Sequence, residues 1–89
     1  MRRARKFMEK KEFNEVRLEL EGVPGEEAAA LLARARAELV LINLSEAAAQ
    51  SSSSHGGEAH AALERARVFG ATPAQLESAR KGRPPGRAG

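Results

Sequence analysis

The chain has 89 residues and a formal net charge of +3 at pH 7, and it contains no Cys, Trp or Tyr. This length allows one small domain, and the missing thiols exclude disulfides, Fe–S clusters and zinc sites with Cys ligands. No apolar run approaches the roughly 20 residues that a membrane span needs, and no apolar segment follows the basic N-terminus as in a secretory signal. The sequence therefore predicts a cytoplasmic protein that makes no membrane contact.

Turn and capping residues divide the chain into predicted helices. Residues 22–25 separate the second helix from the third, and the Ser- and Gly-rich residues 51–57 separate the third from the fourth. Thr72 and Pro73 are the residue types that cap and open the last helix. The predicted helices form a single all-α domain over residues 1–81, at about residues 2–10, 12–21, 26–50, 58–69 and 73–81. The Gly-, Pro- and Arg-rich residues 82–89 are predicted to be a disordered basic tail.

One segment is compatible with two secondary structures. Residues 16–21 alternate apolar and charged side chains, which is the pattern of a half-buried strand. No second strand candidate exists in the chain to pair with it, so helix is the favoured interpretation. A strand-swapped dimer is the alternative.

An internal repeat runs through the sequence. The triplet Arg-Ala-Arg occurs at residues 3–5, 34–36 and 65–67, with a spacing of 31 residues each time. Residues 25–36 also match residues 56–67 at eight of twelve positions. A period of this length is typical of stacked supersecondary units.

The repeat resembles the tetratricopeptide repeat, a helix pair with a small residue where the helices pack and an aromatic residue three positions later. Ala4, Ala35 and Ala66 match the small position, and Phe7 and Phe69 match the aromatic one. The apolar residues that open the second helix of each pair are matched by Phe13 with Val16, Leu44 with Ala47, and Leu76 with Ala79. The middle unit departs from the pattern at Glu38 and lacks a turn at residues 39–42. The resemblance implies a short stack of helix-turn-helix pairs, and an ordinary small helical bundle is the alternative.

No cluster of side chains indicates catalysis or metal binding. His55 and His60 are the only His residues, and Glu58 lies two positions from His60, so the two would point away from each other on a helix. Residues 38–80 also resemble the carboxymuconolactone decarboxylase and alkylhydroperoxidase fold, whose redox members carry Cys where this chain has Ser53 and Gly56. The sequence therefore predicts a protein that is not an enzyme and has no cofactor, metal or small-molecule substrate.

The charges divide into an acidic middle and two basic ends. Residues 1–17 hold seven basic and three acidic side chains, residues 80–89 hold four basic and no acidic ones, and the middle holds four Arg and nine Glu. Basic ends attract polyanions through counterion release. Residues 62–81 are compatible with a helix-turn-helix, and residues 80–87 resemble an AT-hook. The predicted nucleic-acid-binding residues are Arg2, Arg3, Arg5, Lys6, Arg80, Lys81, Arg83 and Arg87.

A second surface prediction comes from an apolar run in the third helix. Leu39, Val40, Leu41 and Ile42 are consecutive, so on a helix they cover all sides. Part of this surface is therefore expected to meet something other than the chain's own core, with Val40 or Leu41 at the contact. Because short helical repeats bury little core and need neighbours, we expect a protein-interaction module or assembly subunit, most simply a dimer. Nucleic-acid binding through the basic ends is the alternative.

Overall fold

The computed structural model describes residues 2–85, and this range contains five α-helices and no β-strand. The helices are α1 (Arg2–Glu9), α2 (Phe13–Leu20), α3 (Glu26–Ser52), α4 (Gly56–Phe69) and α5 (Pro73–Arg80). The predicted all-α class is confirmed. Residues 82–85 contain no helix, whereas the last four residues of the predicted tail lie outside the described range.

The ambiguous segment at residues 16–21 belongs mostly to α2, so its strand interpretation is wrong. Val16 and Leu20 are buried, whereas Leu18 between them is 59% exposed. Residues four positions apart share one face of a helix, so the same three side chains fit a helix with one buried face. The alternating pattern arose because an exposed Leu stands between two buried residues.

Four of the five helices end in the same local turn, at Lys11, Ser54, Gly70 and Gly82, and α1 and α4 show it with different residues. At the end of α1, Lys11 has a φ of 60°, and the Glu12 amide donates to the Phe7 carbonyl at 2.8 Å. At the end of α4, Gly70 has a φ of 113°, and the Ala71 amide donates to a carbonyl five residues earlier at 2.9 Å. Both are Schellman-type ends, in which a left-handed residue stops the helix.

The start of α5 is fixed by a complete capping box. The Thr72 hydroxyl accepts a hydrogen bond from the Gln75 amide at 3.1 Å, and the Gln75 side chain accepts one from the Thr72 amide at 2.8 Å. This reciprocal pair satisfies two amides that a helix N-terminus leaves without partners. The Thr-Pro signal in the sequence correctly placed this helix start.

The chain divides into two compact units, Met1–Leu39 and Val40–Gly89, and α3 contributes to both. α3 is continuous from residue 26 to residue 52, so the middle repeat unit is one long helix and not a helix pair. The prediction of a single domain stays a prediction.

The first unit has a small core made by α1, α2 and the first half of α3. Its buried apolar residues are Ala4, Phe13, Val16, Leu20, Ala28, Ala35 and Leu39. Only one of these is aromatic, so the core depends on close contact between helix backbones at its Ala positions.

The second unit has a core built mostly from Ala. Its buried cluster consists of Val40, Leu44, Ala47, Ala62, Ala66 and Ala79, with Leu63, Phe69, Ala71 and Leu76 packed against it. The central Ala of each Arg-Ala-Arg triplet is fully buried across the two units, at Ala4, Ala35 and Ala66, while the flanking Arg residues are exposed. These three Ala residues therefore lie on packed helix faces, where the small residue of each unit was predicted to lie.

Candidate protein-interaction surface

The apolar run in α3 is divided between the core and the surface. Leu39 and Val40 are 9% and 7% exposed, whereas Leu41 and Ile42 are 42% and 47% exposed. Leu39 continues the buried positions of the first unit and Val40 begins those of the second. Leu39 and Val40 therefore offer almost no surface to a partner, and the predicted interaction residues reduce to Leu41 and Ile42.

Leu41 also forms part of a groove of about 360 Å³ in the second unit. We call this the α3–α5 groove. It is lined by Leu41 and Leu44 of α3, by Ala74, Gln75 and Ser78 of α5, and by Arg83, Pro84 and Pro85 after α5. Among the described residues, Arg83 is the one charged residue of the lining, so this part of the groove is largely apolar with a positive charge at one side.

The segment after α5 is held in place by its backbone. Gly82 has a φ of 82°, and the Arg83 amide donates to the Ser78 carbonyl at 3.0 Å. A Cβ added at Gly82 would lie 2.7 Å from the Ser52 Oγ, so the chain passes close to the end of α3. Residues 82–85, predicted as part of a disordered tail, are therefore packed against the second unit and supply one side of the groove. The Gly-Arg-Pro-Pro sequence after α5 indicated where the helix ends, because Pro cannot extend a helix.

A part-buried polar contact fixes α4 against α3. Asn43 is 6% exposed, and its side-chain oxygen accepts a hydrogen bond from the Arg65 Nε at 2.8 Å. The same guanidinium lies 3.4 Å from a Glu46 carboxylate oxygen. A buried amide is costly to leave without a partner, so this contact favours one register of α4 on the second half of α3.

The groups whose pKa departs from its ordinary value form two surface ion pairs. The guanidinium of Arg67 donates a hydrogen bond to Glu64 and lowers the pKa of that carboxyl below its usual value. Arg80 does the same to Glu77, donating to both carboxylate oxygens at 2.6 and 2.7 Å, and so lowers the pKa of Glu77. These groups are exposed, so the shifts reflect local pairing on helix surfaces and indicate no reaction centre.

The two His residues lie apart from any cluster that could hold a metal. The His55 Nδ1 lies 2.9 Å from the Gln50 Oε1, and His60 is exposed on α4. Within residues 2–85, no group of three or more His, Cys, Asp or Glu side chains is placed to bind a metal ion. The absence of catalysis and of cofactors stays a prediction.

Several predicted nucleic-acid-binding residues are paired with carboxylates of the same chain. In the first unit, the Arg3 Nε lies 3.8 Å from Glu19, and Arg5 forms an ion pair with Glu27. Arg2 and Lys6 form no ion pair with any residue between 2 and 85. Half of this basic group is therefore locally neutralised.

The basic residues at the end of the second unit show the same effect. Arg80 and Lys81 share the carboxylate of Glu77, at 2.6 and 3.8 Å. Arg83 has no ion pair within the described range, and Arg87 lies outside it. The Gln75 side chain lies on the second helix of the predicted helix-turn-helix and is engaged in the capping box of α5. Both observations weaken the nucleic-acid interpretation of this end.

Among residues 2–85, no helix is long and apolar enough to cross a membrane. Comparisons with protein-family models, curated proteins and solved structures found no match. The resemblances to the tetratricopeptide repeat and to the carboxymuconolactone decarboxylase fold stay predictions.

Proposed function

We propose that the protein is a non-enzymatic interaction module that binds a protein partner through the α3–α5 groove and the adjoining Ile42. The observation that carries this proposal is the exposure of the consecutive residues Leu41 and Ile42 on α3, where Leu41 also lines a largely apolar groove. In a chain whose cores consist largely of Ala, two exposed large apolar residues at one place are a substantial share of the available apolar surface.

The expected energy of this surface is modest for each residue. Full burial of a Leu or Ile side chain contributes roughly 1.5–3 kcal/mol. Leu41 and Ile42 already have about half of their surface covered within the chain, so each would add about 1 kcal/mol on contact with a partner. Such a contact becomes specific when the partner also fills the groove and pairs with Arg83.

Local charge pairing favours this function over nucleic-acid binding. A protein that binds a polyanion gains affinity from cations that neutralise phosphates. Arg3, Arg5, Arg80 and Lys81 already face carboxylates of their own chain, so binding a phosphate would require them to break or share these pairs.

The test compares Leu41→Glu and Ile42→Glu with Val68→Glu as a matched control. Val68 is 73% exposed on α4 and is not among the residues that line the groove, so its replacement introduces the same charge elsewhere on the second unit. Light scattering at high micromolar concentration and affinity capture with cross-linking would measure assembly and partner binding. Circular dichroism would check that each variant keeps its helices.

We expect Leu41→Glu and Ile42→Glu to lose an association that the parent protein and Val68→Glu retain. The proposal is overturned if the parent is monomeric and captures nothing that Leu41→Glu loses. It is also overturned if the parent binds random duplex DNA with a strong salt dependence and the groove variants bind equally well, because that result supports the nucleic-acid alternative.

A further inference from the structure

We infer that the occupant of the α3–α5 groove is a second copy of this chain, which inserts Leu18 of its α2 and places Glu15 beside Arg83. This inference rests on the proposed function, because it names the partner that the groove binds. It follows from the positive charge of Arg83 at the groove and from the exposed apolar residues elsewhere in the described range.

Leu18 is an apolar side chain with acidic surroundings. It is 59% exposed on α2, while Val16 and Leu20 on either side are buried in the first unit. Glu15 lies three residues earlier and therefore on the same face of the helix. Residues 12–27 contain six Glu and one Arg. Three of these Glu pair with Arg residues of the first unit, at Glu19, Glu21 and Glu27, so within residues 2–85 Glu15 is one of three that keep an uncompensated negative charge. We call Glu15 and Leu18 the Leu18 knob.

The charges on the knob and the groove are complementary. Neither Glu15 nor Arg83 forms an ion pair with any residue between 2 and 85, and both are exposed. A contact between two copies of the groove about a two-fold axis would bring Arg83 towards its own counterpart, which is unfavourable. An acidic apolar element therefore fits the groove better than a second groove does.

Few other side chains of the chain meet this requirement. The exposed large apolar residues within the described range are Leu18, Val23, Leu41, Ile42 and Val68. Leu41 lines the groove itself, and Ile42 follows it on α3. Val68 lies one turn after Glu64, whose carboxylate is already paired with Arg67 at 2.8 Å. Val23 follows α2 in the loop before α3 and is 44% exposed, less than Leu18. The Leu18 knob combines the most exposed of these side chains outside the second unit with a Glu that has no ion pair in the described range.

The contact joins two different surfaces of the chain, the knob of one copy and the groove of another. Two copies that fill each other's grooves about a two-fold axis form a closed dimer, whereas copies that add in one direction leave a knob and a groove open and continue to a ring or a filament. In either case the inferred partner predicts assembly that increases with concentration.

The decisive experiment mixes two variants that each lack one side of the contact. Leu18→Glu removes the knob and keeps the groove, whereas Leu41→Glu removes the groove and keeps the knob. We expect each variant alone to be monomeric, with self-association roughly tenfold to a hundredfold weaker than in the parent. An equimolar mixture has one intact knob and one intact groove, so it should form a 1:1 complex and nothing larger. Sedimentation velocity would measure these masses, with Val68→Glu as the control that assembles like the parent.

A charge exchange tests the same contact without removing apolar surface. Glu15→Arg and Arg83→Glu should each weaken self-association by about threefold to tenfold, because each places like charges together. Mixing these two variants restores opposite charges at the contact and should recover most of the parent's association. This pair keeps the inference falsifiable if either Glu substitution of Leu disturbs folding, which circular dichroism would reveal.

The inference is overturned if the parent is monomeric at high micromolar concentration. It is equally overturned if Leu18→Glu assembles like the parent, or if the mixtures fail to recover an association that the single variants lost. When Leu41→Glu loses binding and Leu18→Glu keeps it, the inference fails and the proposed function stands. When both variants keep every association of the parent, the inference and the proposed function fail together.

Discussion

Replacing Ala66 with Leu would test the close packing on which the second unit depends. Ala66 is fully buried in a cluster whose other members include Ala47, Ala62 and Ala79. These side chains are the smallest that still fill a helix interface, so the neighbouring helices approach closely and leave no room for an added isopropyl group. The carbonyl of Ala66 also accepts the Ala71 amide at 2.9 Å, which ties this position to the turn before α5.

We expect Ala66→Leu to lower the free energy of unfolding by about 1–3 kcal/mol, the usual cost of overpacking a buried site. For a chain of this size, 1 kcal/mol corresponds to a Tm shift of roughly 4–8 °C. The melting temperature, followed by circular dichroism, should therefore fall by at least about 4 °C. Ala61→Leu is the matched control, because Ala61 is exposed on the same helix and Leu is nearly as good a helix former as Ala.

The packing argument is refuted if both variants melt at the temperature of the parent. It is also refuted if Ala61→Leu loses as much stability as Ala66→Leu, because the loss would then arise from helix propensity and not from the core. Urea denaturation would separate the two cases, since a change of midpoint without a change of slope reports stability alone.

Two further predictions concern a turn and an ion pair. Lys11→Gly should stabilise the protein by about 0.5–1 kcal/mol in urea denaturation, because Lys11 holds a left-handed φ of 60° that Gly adopts without strain. Gly70→Ala should lower the stability by about 1 kcal/mol at the matching turn. A loss of stability on Lys11→Gly would contradict this account. Because Arg80 lowers the pKa of Glu77 below its ordinary value of 4.5, the stability from this pair is present above that pH and is lost as pH falls through the folded-state pKa. Glu77→Gln should therefore flatten the acid limb of the stability–pH curve at low salt, the difference should shrink in high salt, and an unchanged acid limb would show that the pair contributes nothing.

The positions of the helices follow largely from local signals in the sequence. Thr72 and Pro73 open α5, Gly70 ends α4, and Gly22 and Gly25 separate α2 from α3. These signals act over a few residues, through side-chain caps and through backbone angles that Gly adopts readily. The burial of Ala in each Arg-Ala-Arg triplet was also predictable, since a small residue between two Arg residues leaves one narrow face free for packing.

The turn at Lys11 shows where such local reasoning stops. Lys has no preference for a left-handed φ, and the sequence gives no stop signal of the kind that Gly provides. The left-handed Lys11 joins α1 to α2, and these two helices contact each other in the first unit, so we attribute this helix end to their packing. When tertiary contacts impose the end of a helix, the type of residue at that end does not predict it.

The candidate site required the tertiary structure for the same reason. The sequence identified the apolar run at residues 39–42, but four consecutive apolar residues on a helix do not reveal which of them neighbouring helices will cover. Burial of Val40 and exposure of Leu41 depend on where α4 and α5 pack around the second half of α3. The summed charges of the chain ends likewise did not indicate that Arg80 pairs with Glu77. The sequence by itself determined the helices and their small packed faces, because these depend on neighbours along the chain, whereas the groove and its charge depend on neighbours in space.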